Sequence, residues 1–241
     1  GTSFNETITG SSGNDTIQGA GGNDVVRGNN GDDIITVESG SNQLFGEAGN
    51  DTITAGTGND QISGGIGDDI INLAQASVDV LLYSGHTSNL NGSDTITNFQ
   101  SNDIHNLSTV LTAGALINGL SGNTLGIATT SVLADETTTI NLIDERGYVA
   151  EVANKSDVDT AADIVTALTG SSGVLDAITV AADADAILLL GGADDDTTQY
   201  LYGLNNDSTP AIVADEVALL ATITTDITDG IRGYTIDNFI F

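Results

Sequence analysis

The sequence predicts an all-β protein in the main. A parallel β-solenoid of nine-residue units fills the first third, followed by a β-rich C-terminal region with one short helix. Three observations carry that prediction. From Gly1 to Asn72 the chain keeps an unbroken nine-residue register, eight units long. Each unit closes on an alternating triplet such as Thr16, Ile17 and Gln18, which is a short strand with one face inward. The residues between triplets are turn formers, drawn from the chain's 30 glycines among 241 residues, with a single proline, Pro210.

The register is strict. The fourth position holds Gly13, Gly22, Gly31, Gly40, Gly49, Gly58 and Gly67, with Phe4 in the first unit. The sixth holds Glu6, Asp15, Asp24, Asp33, Asn42, Asp51, Asp60 and Asp69, and the eighth is aliphatic throughout, from Ile8 to Ile71. Two units make one coil of a parallel β-roll, so every second turn stacks on the same edge. Asp15, Asp33, Asp51 and Asp69 then form one column, the even edge. Glu6, Asp24, Asn42 and Asp60 form the other, the odd edge.

Charge decides what the columns need. The chain carries 34 acidic side chains against 4 basic ones, a formal net charge of -30 at pH 7. Such a polyanion has no electrostatic footprint for nucleic acid or an anionic membrane surface. No apolar run approaches the roughly 18 residues of a membrane span, so direct insertion is not expected. Cysteine is absent and histidine limited to His86 and His105, which argues against thiolate or multi-histidine metal sites. Both histidines read as polar surface or strand residues. Bare carboxylates one rung apart, about 4.8 Å, repel by about 3 kcal/mol at an effective dielectric near 20. A small hard cation bridging carboxylate and carbonyl oxygens turns that repulsion into attraction, and Ca²⁺ is the first candidate. The plainer alternative is ordinary Gly-Asn-Asp turn chemistry in a generic solenoid, which has no need for an acid at every sixth position.

At these residues the chain resembles the RTX calcium-binding nonapeptide repeats. Their pattern is Gly-Gly-x-Gly-x-Asp-x-aliphatic-x, and Gly64 to Asn72 matches it at every defined position. The resemblance implies a β-roll with several Ca²⁺ ions between successive turns. It carries over Asp15, Asp24, Asp33, Asp51, Asp60 and Asp69 as carboxylate ligands. Carbonyls would come from the glycine turns, at Gly10, Gly13, Gly19, Gly22, Gly28, Gly31, Gly46, Gly49, Gly64 and Gly67. Asn42 replaces the acid in the fifth unit, which also begins with Val37 instead of glycine. Phe4 and Glu6 make the first unit look like a cap. The even edge is therefore expected to be fully occupied and the odd edge to have a weak rung.

From Leu73 the register dissolves, and the chain divides into the roll (1–72), roll-closing strands (73–108) and a β-rich assembly or secretion domain (109–241). Val78 to Tyr83 reads as a longer buried strand. Gly92 to Phe99 with Asp103 to Ser108 is similar to the segment that closes the roll in RTX proteins, which adds Asp94 and Asp103 as ligands. A polar strand pair capping the solenoid is the simpler reading. Thr138–Ile143 and Tyr148–Val152 look like strands around a turn, and Ala161, Ile164, Val165 and Leu168 share one face of a helix over 158–169. Further strands are expected at Ala186–Leu190, Gln199–Leu204 and Val217–Ile223. Between the last two, Asn205, Asp207 and Glu216 fall at spacings like those of an EF-hand calcium loop, although Pro210 stands where that loop needs glycine. A solvated acidic hairpin is the alternative there.

No catalytic motif emerges from the sequence, so the expected protein is not an enzyme. The resemblance points to RTX-bearing S-layer subunits and adhesins, secreted to the bacterial cell surface. Their calcium-folded copies would assemble with other copies of the same chain. The final stretch, Asp237 to Phe241, is similar to the uncleaved signals read by type I secretion machinery, or is an edge strand at a terminus. Gly1, with no initiator Met, is expected to follow processing. The rival expectation is the C-terminal export module of a secreted protease, lipase or polysaccharide-modifying enzyme.

Overall fold

A computed structural model describes residues 1–75, 77–84, 91–100, 102–106, 140–142, 146–152, 178–180, 184–192, 198–206, 217–225 and 239–240. Within them the chain is mostly β and winds as a parallel solenoid, as the nine-residue register requires. One sheet stacks β1 (Thr7–Thr9), β3 (Val25–Asn30), β5 (Gln43–Ala48), β7 (Gln61–Ile66), β9 (Val80–Leu82) and β11 (Ile104–Asn106). The facing sheet stacks β2 (Thr16–Ala20), β4 (Ile34–Val37), β6 (Thr52–Thr54), β8 (Ile70–Asn72) and β10 (Asp94–Phe99). Pairing sets like on like: Ile17 opposes Ile35, Ile35 opposes Ile53, Ile53 opposes Ile71 and Ile71 opposes Ile96. The eighth-position side chains point between the sheets and form one continuous apolar core.

Turns of this tightness need glycine at particular places. Gly49 has φ 133°, a region closed to most side chains, and a Cβ there would overlap the Gly31 carbonyl of the coil before. The fifth position laces the outside of the turns. Backbone N–H groups of Asp32, Asn50, Asp68 and Ser93 donate to Oδ1 of Asn14, Asp32, Asn50 and Asp68, 18 or 25 residues earlier, at 2.9–3.0 Å.

The solenoid does not stop at Asn72. Strands β9, β10 and β11 add rungs to both sheets, in spite of lengthened turns. Val78 to Tyr83 is one of these rungs, with its strand at Val80–Leu82, not a separate longer strand. His105 occupies the core position of the last coil, opposite Leu81, and is fully buried. Its ring stacks on Phe99 (4.4 Å between centroids), and Nδ1 lies 3.0 Å from the Tyr83 hydroxyl. Of the two readings, surface or strand, His105 is thus the strand residue, and a buried one. Imidazole fits here because it offers a flat face to Phe99 and a polar atom to Tyr83.

The C-terminal strands continue the same sheets. Strand β17 (Val217–Thr225) pairs in parallel with β10, then antiparallel with β16 (Thr198–Asn206), which pairs antiparallel with β15 (Ala184–Gly192). Strand β13 (Arg146–Val152) completes that nine-stranded sheet. Strand β18 (Phe239–Ile240) pairs with β11, so the terminal run forms an edge strand on the other sheet. Strands β12 (Ile140–Leu142) and β13 are not paired with each other. β12 pairs with β14 (Ile178–Val180), and β13 with β15. The helix expected over 158–169 lies outside the described residues.

Candidate metal centre

The sixth-position acids stand inside the turns, and each is tied to the coil before it. On the even edge the N–H groups of Asp15, Asp33, Asp51 and Asp69 donate to Oδ1 of Asp33, Asp51, Asp69 and Asp94 at 2.7, 2.7, 2.8 and 3.1 Å. On the odd edge those of Glu6, Asp24, Asn42, Asp60 and Asp79 donate to Oδ1 of Asp24, Asn42, Asp60, Asp79 and Asp103 at 2.7–3.0 Å. Asp94 and Asp103 thus stand in the two columns. Asp79, which sequence reasoning placed only within a buried strand, stands there too. It follows Asp60 by 19 residues instead of 18, and Asp103 follows Asp79 by 24. A nine-residue count loses both steps, although the interval of nine from Asp94 to Asp103 and the run Gly92, Ser93, Asp94, Thr95, Ile96 still carry the repeat.

The second carboxylate oxygen separates the middle of the ladder from its ends. In Asp24, Asp33, Asp51, Asp60 and Asp69, all at most 1% exposed, Oδ2 is buried without a hydrogen-bond partner. Leaving an ionised oxygen so placed is costly, and such atoms call for a cation. At the ends local donors fill the role. Thr2 N and Oγ1 serve the Glu6 carboxylate, and Ser11 N and Oγ serve Asp15 Oδ2. Ser77 Oγ serves Asp79 Oδ2 at 3.0 Å, and Gln100 N serves Asp103 Oδ2 at 2.8 Å. Asp15 and Asp103, expected as ligands, therefore have outer oxygens already engaged.

First-position glycines make room for the orphaned oxygens. A Cβ on Gly46 would overlap Asp51 Oδ2 and lie 2.5 Å from the Gly64 carbonyl oxygen. Gly28 brings together Asp33 Oδ2 and the Gly46 carbonyl in the same way, and Gly10 brings together Asp15 Oδ2 and the Gly28 carbonyl. A Cβ on the fourth-position glycine of the next coil would run into the carbonyl groups of Gly13, Gly22, Gly31, Gly49 and Gly67. Among the described residues no point gathers three or more His, Asp or Glu side chains. Beside Gly10, Gly28 and Gly46 the donor set is a carboxylate with a backbone carbonyl, the all-oxygen set that suits Ca²⁺. Asn205 lies within β16 with its backbone opposite Asp185, while Asp207 and Glu216 fall outside the described residues.

Burial raises the middle acids. It pushes Asp51 and Asp60 up to about 6, against hydrogen bonds that lower them, with neighbouring carboxylates adding to the rise. Asp69 is pushed to about 7, first by burial and then by the Asp51 charge. Asp94 reaches about 9, by burial and the charge of Asp69. Burial also raises Asp79. Burial holds His105 near 3, so its imidazole is neutral. An uncharged histidine and a row of unwilling carboxylates share one roll.

Buried carboxylates stacked along the turns of a parallel solenoid define an acid-lined β-roll. Residues 1–35 and 37–71 match the profile of the RTX calcium-binding nonapeptide repeat, in four copies. This N-terminal segment is an array of RTX repeats. No curated protein and no solved structure matches the chain. RTX repeats bind calcium and are typical of secreted, extracellular bacterial proteins.

Proposed function

We propose that the chain is a non-enzymatic structural protein. It leaves a bacterium through type I secretion machinery, folds on calcium outside, and assembles with other copies of itself on the cell surface. The observation that carries this reading is the row of five buried, partnerless carboxylate oxygens inside a roll whose sheets run on into β17 and β18. Ions held at Asp24, Asp33, Asp51, Asp60 and Asp69 with nearby turn carbonyls would supply the missing positive charge. At intracellular calcium those oxygens oppose folding. At the roughly 10⁻⁴–10⁻³ M at which extracellular modules bind, mass action favours the coil. Because the strands are shared, order gained in the turns supports the C-terminal strands as well. Calcium also screens a net charge of -30, which otherwise keeps copies apart.

The rival reading is a calcium-binding export module of a secreted protease, lipase or polysaccharide-modifying enzyme, which the same repeats would serve equally. Electron microscopy and sedimentation of the purified chain across calcium concentrations separate the two. Sheets or filaments that appear with calcium and disperse in excess chelator are expected. A chain that stays monomeric at every calcium concentration rules out assembly and favours the module.

A further inference from the structure

The odd edge has one turn unlike all the others. Asn42 is buried, and each polar atom of its side chain is engaged. Its Oδ1 accepts the Asp24 N–H at 2.8 Å, which fixes which end of the amide is nitrogen. Nδ2 then donates to the Gly40 carbonyl at 3.1 Å and to Asp60 Oδ1 at 2.9 Å. In the equivalent turns of the even edge that position is Oδ2 of Asp33 or Asp51, an acceptor with nothing to accept. A second difference lies one seam earlier. Beside Gly19 the nearest atoms are Asp24 Oδ2 and Val37 Cγ1, whereas beside Gly10, Gly28 and Gly46 the aspartate oxygen is joined by the next coil's carbonyl oxygen. A methyl stands where the other edge presents an oxygen.

We propose that the seam between the turns at 37–42 and 55–60 holds no cation, because the Asn42 amide takes the cation's place, while the matching even-edge seams at Asp33 and Asp51 are calcium sites. An amide N–H₂ bridging a carbonyl and a carboxylate makes the links that an ion would make, with no net charge to neutralise. A cation beside it would meet two N–H hydrogens instead of an oxygen. The roll thus has a full ladder on one edge and an interrupted one on the other, although the repeat profile spans both alike. This inference rests on the calcium-folding reading of the same turns.

Bound calcium per chain, counted by equilibrium dialysis and calorimetry on the whole chain, tests it. Asn42→Asp is expected to bind one more ion than the parent, and Asp51→Asn at least one fewer. An unchanged count in Asn42→Asp overturns the proposal. Should that variant fail to fold, anomalous diffraction from the unaltered chain soaked in a lanthanide decides. Peaks are expected beside Asp33 and Asp51 and none between Asn42 and Asp60, and a peak in that seam overturns the proposal. If the parent chain binds no calcium at all, the calcium-folding reading itself fails, an outcome distinct from equal occupancy of the two edges.

Discussion

The middle coils of the roll and its last two solve the same problem by different chemistry. Between Asp24 and Asp69 the turns are small, the core is aliphatic, and five carboxylate oxygens lie buried without partners. Between Leu73 and Asn106 the turns are longer. Ser77 and Gln100 satisfy Asp79 and Asp103, and three rings fill the core, Phe99 stacked on His105 and Tyr83 tilted against it. Strands β17 and β18 cover these last rungs, whereas β1 and β2 leave the other end of each sheet open. One coil geometry can thus be held by ions or by hydrogen bonds and aromatic packing. Only the first kind should respond to calcium.

Removing calcium is the largest perturbation that separates the two regions. In excess chelator at pH 7.5, amides of residues 25–72 are expected to lose hydrogen-exchange protection, while those of residues 94–106 keep a measurable part of theirs. Equal loss across both would erase the distinction. Acid should substitute for the metal. The carboxyls of Asp51, Asp60, Asp69 and Asp94 sit at about 6, 6, 7 and 9 in the folded chain, above the value near 4 of an unfolded carboxyl. The folded state therefore binds more protons. Their favourable contribution is complete below about pH 4 and disappears as pH rises through about 6 to 9. Without calcium the melting temperature should climb on going from pH 9 to pH 5, and saturating calcium should flatten the dependence. A calcium-free chain that is more stable at pH 9 than at pH 5 contradicts the raised values.

Phe99→Ala sharpens the contrast from the other side. It deletes a fully buried ring against His105 and should cost about 3–5 kcal/mol in denaturant unfolding, by a similar amount with and without calcium. A smaller paired test lies within the glycines. Gly46→Ala drives a methyl into Asp51 Oδ2 and should cost about 1–3 kcal/mol together with calcium affinity. Gly13→Ala meets nothing within 4 Å and should stay within about 0.5 kcal/mol of the parent in calorimetry.

The parts of the fold legible in the sequence were those fixed by local spacing. Eighteen residues per coil places Ile17 on Ile35 and Asp15 next to Asp33, and no distant contact can alter that arithmetic. The longer turns hid the rest. Asp79 keeps its place through a backbone-to-carboxylate bond to Asp60 across an extra residue, a link that periodicity cannot see. That the strand residue His105 is buried was not legible, because the hydropathy of imidazole says nothing of the Phe99 face and Tyr83 hydroxyl waiting for it. The pairing of β10 with β17 joins residues more than a hundred positions apart, and no pattern within either strand announces the other. The even and odd edges could be told apart in outline from Asn42 and Val37. The direction of the Asn42 amide could not.

The lacing of the turns has a mechanical consequence. Sixth-position oxygens receive N–H groups from the preceding coil, whereas fifth-position oxygens receive them from the following one. Each layer is thus buttoned to both neighbours by threads of opposite sense. Tension along the axis strains many short fasteners in parallel instead of unpicking them in series, so the rod should resist stretching far better than peeling.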